Sequence, residues 1–183
     1  MVGPVVVGGP VLSPVLLVGQ APGPHEGAAG RPFAWTAGRT LFGWFATIGL
    51  EEEAFRERVY MSAVCRCFPG KSRSGGDRVP DRTEVATCSQ WLEAELALLE
   101  PALVIPVGKL AIGRFLPAQR LNEVVGKLHP LERNGRSFHL APLPHPSGAS
   151  TWHRTEPGRT LLHQALECIA RHPAWQQTVA TPP

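Results

Sequence analysis

At 183 residues the chain is long enough for one domain with a substantial core and too short for two comfortable ones. A composition of 43% hydrophobic and 18% charged residues excludes a disordered chain, and a net charge of +3 with a pI near 8.9 is only a mild lean toward anionic partners. The apolar beginning, MVGPVVVGGPVLSPVLLVG, has no basic stretch and is broken by Gly and Pro, so it reads as neither signal peptide nor membrane span; a cytoplasmic protein without membrane contact is expected.

In chain order, 15-VLLVG-19 is a short buried strand that runs into the glycine-rich stretch GQAPGPHEGAAGRPF. Leu41, Trp44, Phe45 and Ile48 then fall at i, i+3, i+4 and i+7, one face of a helix. A second strand, 59-VYMSAV-64, leads to a loop over residues 69–81, after which Thr83 is a candidate cap for a helix with Val85, Cys88, Leu92, Leu96 and Leu99 inward. The third strand is 102-ALVIPVG-108, followed by a short helix over residues 109–116. Asn134-Gly135 signals a hairpin between 127-KLHPL-131 and 138-FHLAPL-143, and a last helix spans residues 158–171.

Strands separated by helices imply right-handed crossovers, so the expected fold is α/β: three layers, α/β/α, with a central, mainly parallel sheet of about four strands. A single domain is expected over 1–183, with 1–13 and 177–183 poorly ordered. The four cysteines, Cys65, Cys67, Cys88 and Cys168, form no zinc-finger spacing and no disulfide framework is expected.

In an open parallel sheet the ligand crevice lies beyond the carboxyl ends of the strands. The segments that end there include residues 20–33, 63–69 and 142-PLPHPSG-148. In the last of these, Pro144 and Pro146 bracket His145 and restrict the backbone on both sides of the imidazole. The Gly and Pro of residues 19–23 remove side-chain bulk and leave amides free to donate, which suits a flat ligand lying against main chain.

Taken together, GQAPGPHEGAAGRPF, MSAVCRCFPG, ALVIPVG and the late HPSG resemble the uracil-DNA glycosylase superfamily, nearest to its thermophile-type families 4 and 5, over most of residues 15–171. Against the family 4 motif G-E-x-P-G-x-x-E-x-x-x-G-x-P-F, the chain has Gln20 for the first Glu and keeps Pro22, Gly23, Glu26, Gly30, Pro32 and Phe33. Where that family ends its second strand in a pyrimidine-reading Asn, this chain has Ala63, and its SAVCRC is closer to family 5.

The resemblance implies a monofunctional DNA-repair glycosylase that flips a deaminated base, uracil first, out of single- or double-stranded DNA and hydrolyses its N-glycosidic bond. It assigns the base pocket to Gln20, Ala21, Pro22, Gly23, Phe33 and Ala63, with Phe33 stacking on the base. His145 would donate to a base carbonyl, while Glu26 or neutral His25 would orient or deprotonate water. On the DNA side it implies Ser147, Gly148, Trp152 as wedge and Arg154 on the backbone, with Lys71, Arg73 and Arg78 adding charge.

Families 4 and 5 hold a 4Fe–4S cluster on four cysteines, two near the amino end. Here residues 1–64 contain none, so no cofactor, no cluster and no other metal is expected, with Cys88 a buried thiol. A monomer is expected.

Ordinary readings stand beside these: Phe33 as core, His145 as a satisfied loop histidine, Glu26 and His25 as solvated loop residues, Trp152 packed on the last helix, the Lys/Arg loop as wet surface. Two other functions remain open: a damaged-DNA binder without hydrolysis, and a small nucleotide- or phosphate-binding module, although GQAPG lacks the G-x-G-x-x-G spacing.

Overall fold

A computed structural model describes residues 1–73, 75–117 and 120–181. Strand β1 is Val15–Gly19 and helices α1 and α2 are Glu26–Ala29 and Thr36–Ala46. Helix α3, Glu52–Arg58, precedes β2, Tyr60–Ala63, and the long α4, Arg82–Leu99, leads to β3, Leu103–Pro106. Short helices α5, Lys109–Ile112, and α6, Leu121–Val124, come before β4, His129–Arg133, and β5, Arg136–Leu140. After a 3-10 turn at Trp152–Arg154, α7, Gly158–Arg171, and α8, Pro173–Ala180, complete the order.

The sheet has five strands in the order β2-β1-β3-β5-β4, all parallel except β4, which pairs antiparallel with β5 at one edge. The extra strand beyond the expected four is the first arm of the hairpin. Its turn residues Asn134 and Gly135 both have positive φ, 53° and 74°, as a two-residue hairpin turn compatible with strand twist requires.

Every residue of β1 is buried because the strand is covered on both sides. Val15 and Leu17 belong to the core under α2, α3, α7 and α8, whereas Leu16 and Val18 belong to the core under α4 and α5. A continuous apolar run is therefore what a central parallel strand needs.

Helix α4 is capped by Asp81, not by Thr83. Asp81 accepts the Glu84 N–H at 2.9 Å while the Glu84 carboxylate accepts the Asp81 N–H at 2.9 Å, a reciprocal box that leaves Thr83 inside the first turn. The helix over 158–171 is not the last one. Pro173 starts α8, the His172 ring accepts the Ala174 N–H, and Trp175 is buried against Phe45 and Phe55, with ring centroids 5.4 and 6.2 Å apart.

The termini are more closely held than expected. Val6 is buried and donates its N–H to the Arg66 carbonyl at 2.7 Å, Val2 bridges Phe68, and Gly8 donates to the Met61 carbonyl at 3.1 Å, so the amino-terminal segment runs beside β2. At the other end, residues 177–180 continue α8 with Thr178 buried, while Pro182 and Pro183 lie outside the described residues.

Candidate active site

The loops that follow β1, β2 and β5 line a cavity of about 610 Å³. The loop after β1 contributes Gln20, Ala21, Pro22, Gly23, His25 and Glu26. The loop after β2 adds Lys71, Asp77 and Arg78, and the late loop adds His145, Ser147 and Ser150. A larger recess, about 880 Å³, lies beside the antiparallel edge and holds the His139–His172 pair, but it is away from the strand ends where such sheets bind ligands.

His145 is fixed from two sides. Its Cδ2 lies over Gly108, 3.1 Å from where a Cβ would stand, and its Nδ1 accepts the Ser147 N–H at 3.2 Å. Accepting at Nδ1 places the proton of a neutral ring on Nε2. Burial pushes the imidazole below the ordinary histidine range; the Asp77 charge pulls it back up in part, and His153 pushes it down further. The site thus favours a neutral imidazole that donates through Nε2.

Gly108 explains itself in this setting. Its φ of 88° and ψ of 161° lie in a region open essentially to glycine alone. A side chain there would also meet Gln20, whose Oε1 lies 3.3 Å from the same point and accepts the Leu110 N–H at 3.3 Å. The Gln20 side chain is thereby engaged at the start of α5. Its backbone carbonyl accepts the Cys65 N–H at 3.0 Å.

Phe33 sits in the left-handed region at φ 53°, with its ring against Gly19, 3.1 Å from the position of a Cβ. It packs partly on the core and is not among the residues lining the cavity. Gly19 pairs with Ala63 in the β1–β2 register, so Phe33, Gly19 and Ala63 meet at adjoining strand ends; Ala63 is likewise outside the lining. His145 stands over Gly108 beyond the neighbouring strand, β3. His145 thus lines the cavity, whereas Phe33 packs against the end of β1.

Glu26 is buried at the start of α1 and its Oε2 accepts the Gly23 N–H, closing the glycine-rich loop on itself. His25 is exposed, and its ring stacks on Trp35 at 4.3 Å.

The DNA-facing expectations fare unevenly. Trp152 does not stand free as a wedge: its indole N–H donates to Asn122 Oδ1 at 2.7 Å, and its ring packs on the core and lies close over Gly158 at the start of α7. The absence of a side chain at Gly158 makes room first for the Trp152 main-chain carbonyl, which a Cβ would overlap, and then for the indole beside it. Arg78 is no free phosphate ligand either. It grips the Pro69 carbonyl and the Glu84 carboxylate, and its bond to Glu84, joined by the Asp81 N–H, lowers that carboxyl's pKa to about 2. Lys71 lines the cavity, paired with Asp77 at 2.6 Å, while Arg73, Gly148 and Arg154 are exposed outside the lining.

Three residues escaped the sequence reading. Asp77 brings a second carboxylate to the cavity, its Oδ2 3.6 Å from the Cβ position of Gly23, where Glu26 Oε2 stands at 2.7 Å. Arg56 of α3 donates to the carbonyls of Pro32 and Phe33 at 2.9 and 3.2 Å, pairs with Glu52 and lies over the Phe42 ring. Trp35 is 54% exposed at the rim. Asp77 lies in a Gly/Ser-rich loop and Arg56 in a charged helix, so neither carries a local signal; an unburied Trp just before a helix is one.

The cysteines do not fit a four-thiolate cluster. All four are free; Cys65 is buried, and burial first, then the neighbouring Cys88, pushes its thiol up, while Cys88 itself is only half-buried, not the buried thiol expected, and Cys168 lies on α7 with its Sγ toward the Gly126 carbonyl. Among the described residues no group of three or more His, Cys, Asp or Glu is placed to hold a metal ion. No described helix is long and apolar enough to cross a membrane.

Comparison with known proteins agrees with this geometry. The family model of the uracil DNA glycosylase superfamily matches residues 6–167. The chain is 30% identical over 138 residues to the type-4 uracil-DNA glycosylase of Archaeoglobus fulgidus, covering 73% of this chain and 65% of that protein. It is 30% identical over 138 residues to the type-4 enzyme of Pyrobaculum aerophilum (73% and 66%) and 29% identical over 173 residues to the type-5 enzyme of Thermus thermophilus (85% and 72%). The chain thus spans just under two thirds of the type-4 relatives. A match that runs from the amino-terminal segment almost to the end of α7, and takes in both the glycine-rich loop and the His145 loop, means that this chain belongs to the uracil DNA glycosylase superfamily.

Proposed function

We propose that the protein is a monofunctional DNA glycosylase that removes uracil from DNA, acting as a monomer. The observation that carries this is the Ser147 N–H donated to His145 Nδ1, which leaves Nε2–H as a fixed donor at a cavity beyond the parallel strands. When the N1–C1′ bond breaks, the electron pair passes to the base and negative charge collects on its carbonyl oxygens. A positioned neutral imidazole stabilises that charge without having to lose water first.

The sugar becomes electron-poor in the same step, and water attacks C1′. Glu26 is the residue we assign to this water. Its Oε2 is spent on Gly23, and Oε1 remains to accept the proton as the C1′–O bond forms. Asp77, paired with Lys71, sets a second carboxylate beside Gly23. His25, stacked on Trp35, is assigned to support and not to proton transfer.

Phe33 stacks on the base from the Gly19 side, and Ala21, Pro22 and Gly23 admit it against main chain. The small Ala63 leaves the pyrimidine edge without a side-chain reader, which favours tolerance of other deaminated bases. Ser147 and Gly148, with exposed Arg73 and Arg154, are assigned to the phosphates. The donor set supports action without an iron–sulfur cluster: residues 1–64 lack cysteine and Cys168 is held at α7.

The test is a gel assay on single-stranded and duplex oligonucleotides carrying uracil, hypoxanthine or xanthine, followed by alkali, with binding measured on the same strands. Scission that is lost in His145→Ala is expected. Binding without scission refutes the enzyme in favour of a damage binder, and absence of binding refutes both.

A further inference from the structure

Among the described residues two tryptophans are more than half exposed, Trp35 at 54% and Trp91 at 51%. The Trp91 ring on α4 is covered by the Arg66 guanidinium, 5.1 Å from its centroid. Trp35 differs. It stands on the rim of the same cavity as His145, and its indole N–H has no protein partner among the described residues.

One face of Trp35 rests on the His25 ring, centroids 4.3 Å apart and planes 28° from parallel. The imidazole backs the indole, more than half of which stays open to solvent. Trp35 also occupies the N-cap of α2, with extended φ and ψ of −123° and −158° and no side-chain cap. Ser, Thr, Asp or Asn there would add about 1 kcal/mol to the helix. An indole at a cap position, exposed, backed by a ring and beside a site, breaks a local rule where binding is the compensating gain.

We propose that Trp35, backed by His25, is a stacking platform for the nucleobase next to the extruded one. This rests on the glycosylase reading above. A neighbouring base in a single strand is free to lie on the exposed indole, and the contact is tolerant of sequence because every base presents a π-face. The platform takes the place at the rim that Trp152, docked on α7 and bonded to Asn122, does not fill. It anchors the strand and leaves the bond-breaking step to His145.

The experiment uses the full chain and short single strands carrying uracil with 2-aminopurine on one side or the other. Stacking on the indole quenches the aminopurine in the wild type on one of the two strands. Trp35→Ala abolishes that quenching and weakens Kd and KM by about 5- to 150-fold, while kcat at saturation stays within about twofold. Trp35→Phe restores most of the affinity; Trp91→Ala changes nothing.

If wild-type excision proceeds and Trp35→Ala leaves quenching and KM unchanged, the platform is overturned and the glycosylase reading stands. If the wild type excises no base, that reading fails; the platform is then decided on uracil-free strands, upheld by the same loss of affinity in Trp35→Ala and overturned without it.

Discussion

Arg56 is the residue on which the position of Phe33 depends. Phe33 is held in the left-handed region, which costs a residue with a side chain about 1–2 kcal/mol. Opposing this, Arg56 donates to the Pro32 and Phe33 carbonyls from a guanidinium whose side chain is only 11% exposed. Hydrogen bonds from a charged donor contribute about 1.5–3 kcal/mol each, so even at the low end the pair outweighs the strain.

Arg56→Gln removes the fork and leaves Phe33 without that brace. The expected loss is about 3 kcal/mol, which for a chain of this size lowers the thermal midpoint by about 6–12 °C. Excision by the folded variant is expected to fall because the ring no longer meets the base in a fixed place, with Arg56→Lys intermediate since a point charge cannot serve both carbonyls in that geometry. The assay pairs calorimetry with single-turnover excision below the melting range. A midpoint within about 2 °C of wild type, or unchanged excision, would refute the reasoning.

His145→Ala should lower excision by about 10²–10⁴-fold with little change in affinity for an uncleavable uracil analogue; equal loss of both would make the ring a binding group only. Glu26→Gln keeps an oxygen for the Gly23 amide and removes the base, so kcat should fall by about 10²-fold with the midpoint nearly unmoved. Burial holds His145, His153 and His172 below the ordinary histidine value of about 6.5. As pH falls through 6.5 the unfolded chain takes up protons that these folded sites resist, so their contribution is complete above that pH and lost on acidification; midpoints that rise toward pH 5.5 would contradict this. Trp175→Ala, which empties a fully buried site and orphans the Ile48 carbonyl, should cost about 3–5 kcal/mol, read by denaturant titration.

The sequence by itself determined the parts whose signal is local. The apolar run VLLVG reads as a short strand buried on both faces, Asn134-Gly135 signals the turn of a hairpin, and two prolines leave His145 little freedom. The glycine-rich stretch at a strand end announced a ligand lying against main chain, and its spacing carried the resemblance that the family match bears out. Helix α8 was missed because its short apolar signal follows a proline and acquires meaning only once Trp175 has Phe45 and Phe55 to pack on.

Tertiary structure alone decided which exposed-looking residues are free. Nothing in the string STWHR distinguishes a wedge from a docked indole, since the distinction lies in Asn122 and Gly158, brought to it by α6 and α7. Arg78 and Asp77 are adjacent in one loop and both line the cavity, yet the first closes on Pro69 and Glu84 while the second pairs with Lys71. Arg56 and Phe33 lie far apart in sequence and meet through a hydrogen bond. Such pairings depend on distances between segments that the fold fixes only after hydrophobic burial has set the layers, and no periodicity along the chain encodes them.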